Sequence, residues 1–91
     1  MHDMLQPPGG VVADVGCENA ALAIALVLSG RARRAIATDV SPNSVARARA
    51  TVQRLVPQHA SSIDVRLGDG LQTLGPEERV DAVTMSGTIA G

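Results

Sequence analysis

The sequence predicts an α/β protein with a parallel sheet, organised as the first half of a doubly wound fold. Four short apolar runs alternate with helix-like stretches, and an acidic residue or a glycine lies at the end of each run. Strands that alternate with helices form parallel sheets through right-handed crossovers. A chain of 91 residues forms one domain at most, so we assign residues 1–91 to a single partial domain.

The first strand is expected over residues 11–15, which are β-branched and almost wholly apolar after the turn signal of residues 7–10. Such a run suits a strand that is covered on both faces. A buried helix should follow from about 19 to 29, because this stretch is apolar nearly all round. Gly30 fits the position just beyond its end. The basic residues expected at the solvated end of this helix are Arg31, Arg33 and Arg34.

The second strand is expected over residues 35–38 and ends in Asp39. Ser41 is a good helix N-cap and Pro42 a good first helical residue, so a second helix should run to about residue 55. Pro57 ends it. The residues expected to form its apolar face are Val45, Ala48, Val52 and Leu55.

The remaining two strands fix the expected order of the sheet. Residues 63–67 alternate strictly between apolar and polar, which is typical of a half-exposed strand at a sheet edge. Residues 80–85 form the fourth, mostly apolar run. With the fully apolar first strand inside, the predicted order is 3-2-1-4. The apolar fourth strand then forms an exposed edge, through which the chain could self-associate.

Composition excludes several classes of protein. Eight arginines against nine acidic residues leave a net charge of −1, which argues against free-standing binding to nucleic acid or to an anionic membrane. The longest apolar run, residues 20–28, is too short to span a bilayer.

A single cysteine excludes an internal disulfide, so we expect a cytoplasmic protein. An organelle matrix would require a transit peptide, which this chain lacks. His2 and His59 have no partners at metal-ligand spacing, and no metal site is expected.

The predicted strand ends bring acidic residues and glycines to one edge of the sheet, where ligands bind in such folds. Asp39 can accept hydrogen bonds from both hydroxyls of a ribose, and it follows Gly16 at nearly the spacing typical of that role. A dinucleotide fingerprint that starts at Gly16 would need glycine where the chain has Glu18 and Ala21. Binding of NAD or FAD is therefore disfavoured.

S-adenosylmethionine fits this edge better, because it carries ribose and adenine without phosphate. Backbone amides near Cys17 and Asn19, at a helix start, could receive its carboxylate. Asp14 could lie near its ammonium group, and Asp69 could accept from its adenine amine. Plainer interpretations stay open: Asp39 and Asp69 could serve as turn residues, Asp14 could have an internal partner, and Cys17 could be a small apolar filler.

Three motifs, at residues 12–20, 35–40 and 65–71, resemble those of class I S-adenosylmethionine-dependent methyltransferases. More narrowly, they are similar to the bacterial-type tRNA adenine-N1 methyltransferase family, over nearly the whole chain. The resemblance implies a Rossmann-like fold, S-adenosylmethionine as cofactor, and methylation of adenine N1 in tRNA. It implies cofactor contacts at Gly16, Asp39, Asp69 and Gly70, with further contacts from the loop of the first motif. Val40, which follows Asp39, completes our candidate cofactor residues.

The chain also departs from the family pattern. Glu18 and Asn19 replace an Asp-His pair, and residues 86–91 differ from the glycine-rich family loop. The family continues with three more strands and a helical extension for tRNA. An alternative is therefore a fragment or degenerate copy that binds cofactor weakly or pairs with a partner chain. A nicotinamide oxidoreductase half-domain is a third, less favoured alternative.

Overall fold

The computed structural model describes residues 10–85, which form one wholly parallel sheet with two α-helices. The strands are β1 (Gly10–Val15), β2 (Ala32–Asp39), β3 (Ile63–Leu67) and β4 (Ala82–Thr84). The helices are α1 (Ala21–Leu28) and α2 (Pro42–Leu55). The strand order is β3-β2-β1-β4, which confirms the predicted order.

Both helices pack on the same face of the sheet. The connections from β1 to β2 and from β2 to β3 step across the sheet in one direction, so right-handed crossovers place both helices on one side. A single layer of mostly small side chains fills the space between the helices and the sheet. Its members include Ala23, Ile24, Ala35, Ala37, Val45, Ala48, Val52, Ile63 and Val65.

The start and the end of α2 are as predicted, but its buried face differs by one residue. Ser41 accepts a hydrogen bond from the Ser44 N–H at 3.3 Å, and Pro42 is the first helical residue. Leu55 was expected on the buried face, but its side chain is 58% exposed. Val56 is buried in its place, because the helix ends at Leu55 and the backbone leaves helical geometry there.

The second strand begins earlier than the sequence predicts. Gly30, with a φ of +81°, ends the turn after α1, and Ala32 already pairs with Gly10. The prediction that Arg33 and Arg34 form the end of α1 is therefore wrong, because both belong to β2. Arg34 instead donates to the Asp64 carboxylate on β3 at 3.0 Å.

The connection from β3 to β4 lies against the other face of the sheet and contains one 3-10 turn, Gly70–Thr73. Arg66 ties this connection to β3. Its guanidinium donates to the Thr73 carbonyl oxygen at 2.9 Å and to both Glu78 oxygens at 2.7 and 2.6 Å. It also donates to Asp64 at 2.8 Å. These bonds from Arg66, with the Gly75 N–H, lower the pKa of Glu78 to about 2.

The fourth strand is shorter than predicted and forms the second edge of the described sheet. Only three residues of the run at 80–85 are in strand geometry, and Val83 is 43% exposed. No helix between residues 10 and 85 is long and apolar enough to cross a membrane.

Candidate functional site

The carboxyl ends of three neighbouring strands meet at one edge, as the sequence predicts. Val15 pairs in register with Thr38, and Asp39 pairs with Leu67. Gly70 packs so closely on Val15 that an added Cβ would lie 3.4 Å from its side chain. The loops that follow β1, β2 and β3 therefore form one continuous surface.

Asp39 links two of these loops through its half-buried carboxylate. One oxygen accepts from the Glu18 N–H at 3.1 Å, and the other accepts from the Ser41 N–H at 3.0 Å. The turn-capping interpretation of Asp39 is thus confirmed. These two hydrogen bonds leave acceptor sites on the carboxylate, because an ionised carboxylate offers about four lone-pair sites. Asp39 can therefore hold the loop and still accept hydrogen bonds from a ligand.

The loop after β1 has an unusual backbone. Gly16, Glu18 and Ala20 all have positive φ, at 74°, 53° and 68°. A left-handed conformation costs a residue with a side chain about 1–2 kcal/mol. Glu18 stands where a dinucleotide fingerprint has its second glycine, and its backbone adopts a conformation that favours glycine. Neither Glu nor Ala signals that conformation, so it could not be predicted at Glu18 and Ala20.

The amides of this loop have definite partners. The Gly16 and Cys17 N–H groups both donate to the Thr38 carbonyl oxygen at 2.9 Å. The Cys17 amide thus has an acceptor within the fold, and contact of Cys17 with a cofactor stays a prediction. The Asn19 side chain accepts from the Ala21 N–H at 3.1 Å, whereas no backbone acceptor among residues 10–85 takes the Asn19 N–H. The amides of the first turn of α1 also lack intrahelical partners, as at every helix start.

Asp14 and Cys17 lie beneath the loop and are shielded from solvent. Asp14 is fully buried, and one of its oxygens accepts from the Thr84 hydroxyl on β4 at 2.7 Å. This bond is the internal partner that the sequence left open, and contact of Asp14 with a cofactor stays a prediction. Burial, with the nearby charges of Asp39 and Asp14, raises the pKa of the Cys17 thiol to about 11. Cys17 is therefore a neutral, apolar filler.

Asp69 differs from the other two acidic residues because its side chain is exposed and caps no backbone amide. The glycines beside it fix its position. Gly68 has a φ of +157°, and a Cβ there would lie 2.5 Å from the Thr73 methyl carbon. Gly70 is buried with a φ of +53°. The backbone of this turn therefore presents the Asp69 carboxylate to solvent.

Apolar side chains are exposed along the same edge. Val40, directly after Asp39, is 69% exposed, and Leu71, two residues after Asp69, is 50% exposed. Leu67 and Met85, at the ends of β3 and β4, are similarly exposed. Exposed apolar side chains on neighbouring loops, such as those of Val40 and Leu71, can form part of a binding surface. Of these four, only Val40 is among the candidates predicted from the sequence. An apolar residue within two positions of an acidic residue near a strand end is the signal that finds Leu71 as well.

Within the described part of the chain, no group of three or more His, Cys, Asp or Glu residues is placed to hold a metal ion. His59 is half-buried, and His2 lies outside the described residues. The stretch after β4 that differs from the family pattern, residues 86–91, also lies outside them.

Comparison with known proteins identifies the family. A family model described as a methyltransferase domain matches residues 2–90. The tRNA (adenine(22)-N(1))-methyltransferase of Bacillus subtilis is 36% identical over 81 residues, which are 89% of this chain and 33% of that protein. The crystal structure of the B. subtilis m1A22 tRNA methyltransferase TrmK matches with a TM-score of 0.77 and 34% identity. That match covers 90% of this chain and 34% of the other.

A second solved structure carries a ligand. M. capricolum TrmK, in complex with S-adenosyl-homocysteine, matches with a TM-score of 0.78 and 26% identity, over 90% of this chain and 36% of that one. The chain thus spans about a third of the length of these relatives. The strand order, the convergence of three loops at one sheet edge and the family match agree. The chain belongs to the methyltransferase-domain family.

Proposed function

We propose that this chain is the S-adenosylmethionine-binding part of a tRNA adenine-N1 methyltransferase. The observation that carries the proposal is the pairing of two acidic residues with exposed apolar neighbours at adjacent strand ends. Asp39 is the last residue of β2 and Val40 follows it, while Asp69 and Leu71 follow β3. Asp39 is in register with Leu67, so the two pairs lie side by side.

This surface fits the nucleoside half of S-adenosylmethionine. The free lone pairs of Asp39 can accept from the two ribose hydroxyls, and the exposed Asp69 carboxylate can accept from the adenine amine. Val40 and Leu71 supply apolar surface for the flat faces of the base. Glu18, exposed at the place where a pyrophosphate would approach, favours a ligand without phosphate.

The amino-acid half of the cofactor fits the start of α1. The Asn19 N–H and the amides of the first helical turn carry partial positive charge, which can attract the carboxylate of the cofactor. Gly16 lets the chain turn from β1 into this loop, with a φ of +74°. Asp14 holds β1 to β4 through Thr84, beneath the loop.

The bound cofactor would supply a methyl group on a sulfonium centre. Adenine N1 carries its own lone pair, so the transfer needs no covalent enzyme intermediate. The residues of this chain would then act by binding and orienting, which is the main source of rate in such a reaction. The B. subtilis protein and the B. subtilis crystal structure that match are named for activity on tRNA, and we propose tRNA as substrate and the cytoplasm as location.

The test is an amide proton–nitrogen NMR titration of the 91-residue chain with S-adenosylhomocysteine. We expect shifts at Gly16, Asp39 and Asp69. The Asp69 carboxylate caps no backbone amide, so Asp69→Ala should leave the spectrum of the free chain nearly unchanged. It should weaken binding of S-adenosylhomocysteine by roughly fivefold. Asp39→Ala should weaken binding by roughly a hundredfold, because two hydrogen bonds to a charged group are lost.

Glu77→Ala is the matched control, since it removes an exposed acidic side chain far along the connection to β4. Affinity unchanged in both Asp variants would overturn the proposal. Stronger shifts with NAD than with S-adenosylhomocysteine would favour the nicotinamide alternative instead.

A partner-pairing role is the second candidate, and the β4 edge favours it. Val83 and Met85 are 43% and 53% exposed on this short edge strand. An unpaired apolar edge can accept another strand. Sedimentation equilibrium of the chain and of its Val83→Lys variant tests this: a dimer that the substitution abolishes supports pairing, and a monomer at all concentrations excludes it.

A further inference from the structure

The near-neutral net charge of the chain conceals a strong separation of charge along the sequence. Residues 31–63 contain six arginines and one acidic residue, whereas the rest of the chain contains two arginines and eight acidic residues. The whole of 40–63, which includes α2, contains no acidic residue. A basic stripe along one helix is an electrostatic footprint of polyanion binding.

The fold spreads these charges over the solvent-facing sides of α2 and the strands beside it. Arg47 and Arg54 are exposed and lie seven residues apart on α2, which puts them on one face about 10 Å apart. Arg49 is exposed on the side of α2 that faces β3, where its guanidinium donates to the Val65 carbonyl oxygen at 3.0 Å. The exposed residues Arg31 and Arg33 extend the basic charge to the start of β2.

A cavity of about 370 Å³ opens beside Arg49, between α2 and the free edge of β3. Arg34, Gln53 and Ser61 also line it, and Asp64 is its one acidic residue. Asp64 is already engaged by Arg34 and Arg66. The Arg34 Nε atom is buried and has no hydrogen-bond acceptor among the described residues. An unmet guanidinium donor beside a second arginine is a suitable environment for a phosphate group.

We propose that α2 and the neighbouring edge of β3 bind the phosphate backbone of the RNA substrate, with Arg34 and Arg49 at the cavity and Arg47 and Arg54 further round the helix. That the partner is an RNA rests on the proposed function. Where the RNA binds is inferred from the distribution of charge and from the cavity. The cavity lies near the start of β3, and the candidate cofactor edge lies at its other end. Four strand residues separate the two, or about 13 Å, so one RNA can contact both.

The experiment measures binding of an unmodified tRNA transcript to the 91-residue chain over a series of salt concentrations. The Arg49→Gln, Arg54→Gln double variant should weaken binding roughly tenfold at low salt and reduce the slope of log affinity against log salt by about 1 to 2. Arg79→Gln, an exposed arginine on the connection to β4, is the control and should reduce affinity by less than twofold.

The Arg54 side chain forms no hydrogen bond or ion pair with the described residues, so Arg54→Glu alone tests the surface if the double variant folds poorly. Equal losses in the Arg79 control and in the double variant would overturn the proposal. So would the absence of any tRNA binding by the wild-type chain, or tighter binding to phosphatidylserine vesicles than to tRNA. Titration with S-adenosylhomocysteine separates the two hypotheses, because failure of the cofactor site leaves the salt-dependent RNA result unaffected.

Discussion

Two threonines of the sheet, Thr38 and Thr84, should respond in opposite directions to the same substitution. The Thr38 hydroxyl is buried and has no hydrogen-bond partner among residues 10–85, whereas the Thr84 hydroxyl donates to the buried Asp14 carboxylate at 2.7 Å. Replacement of threonine by valine exchanges the hydroxyl for a methyl group of similar volume. We therefore expect Thr38→Val to stabilise the chain and Thr84→Val to destabilise it.

The magnitudes follow from the hydrogen-bond status of each hydroxyl. Burial of an unsatisfied hydroxyl costs about 1–3 kcal/mol in proteins, so its removal at Thr38 should raise the free energy of unfolding by about 1 kcal/mol. Loss of a hydrogen bond to a charged group costs about 1.5–3 kcal/mol, so Thr84→Val should lower the free energy of unfolding by about 2 kcal/mol. The two variants should then differ by about 3 kcal/mol.

Thermal unfolding followed by circular dichroism is the assay, because the chain has no Trp or Tyr for fluorescence. For a domain of this size, 1 kcal/mol corresponds to about 4–8 °C in Tm. Thr38→Val should therefore melt above the wild type and Thr84→Val well below it. Equal destabilisation by the two substitutions would refute the reasoning, since the Thr38 hydroxyl would then have a stabilising partner.

Three further predictions concern the turn after β3, its arginine anchor and the buried thiol. Gly68→Ala should lower the free energy of unfolding by about 2–3 kcal/mol; combining it with Thr73→Ser, which removes the clashing methyl group, should recover about 1 kcal/mol in a double-mutant cycle. Because the pKa of Glu78 is about 2 in the folded chain and about 4.5 when unfolded, its bonds to Arg66 stabilise the fold above pH 4.5 and are lost as pH falls towards 2. Glu78→Gln should flatten this part of the stability profile in acid titrations of Tm, and an unchanged profile would contradict the assignment. The Cys17 thiol, with a pKa of about 11, should resist iodoacetamide at pH 8 until the chain unfolds in urea, and rapid labelling of the native chain would count against its burial.

Most of the fold could be predicted because each element has a distinct periodicity. The alternating residues of β3 predict an edge strand, and the almost wholly apolar run of β1 predicts an inner one. Together they predict the strand order. The start of β2 could not be predicted this way. Arg33 and Arg34 have the charge of a helix end, and only the pairing of Ala32 with Gly10 and of Arg34 with Asp64 makes them strand residues.

The candidate site was predictable in its position more than in its bonds. An acidic residue at a strand end marks Asp39 in the sequence. Its bond to the Glu18 amide depends on left-handed backbone at Glu18 and Ala20, which residue preferences argue against. The basic surface of α2 was missed for a different reason: a net charge sums over the whole chain and does not register that the two signs are separated.

The order of the strands has a consequence for how the chain folds. β1 pairs with β2 across about two dozen residues of sequence, but it pairs with β4 across 70, through only three residue pairs. Closing the longer loop costs more chain entropy and gains fewer ladder bonds. We expect β4 to dock last and to open first, so hydrogen exchange should be fastest at its amides. Each opening would separate Thr84 from Asp14 and briefly expose a carboxylate that the closed sheet keeps from water.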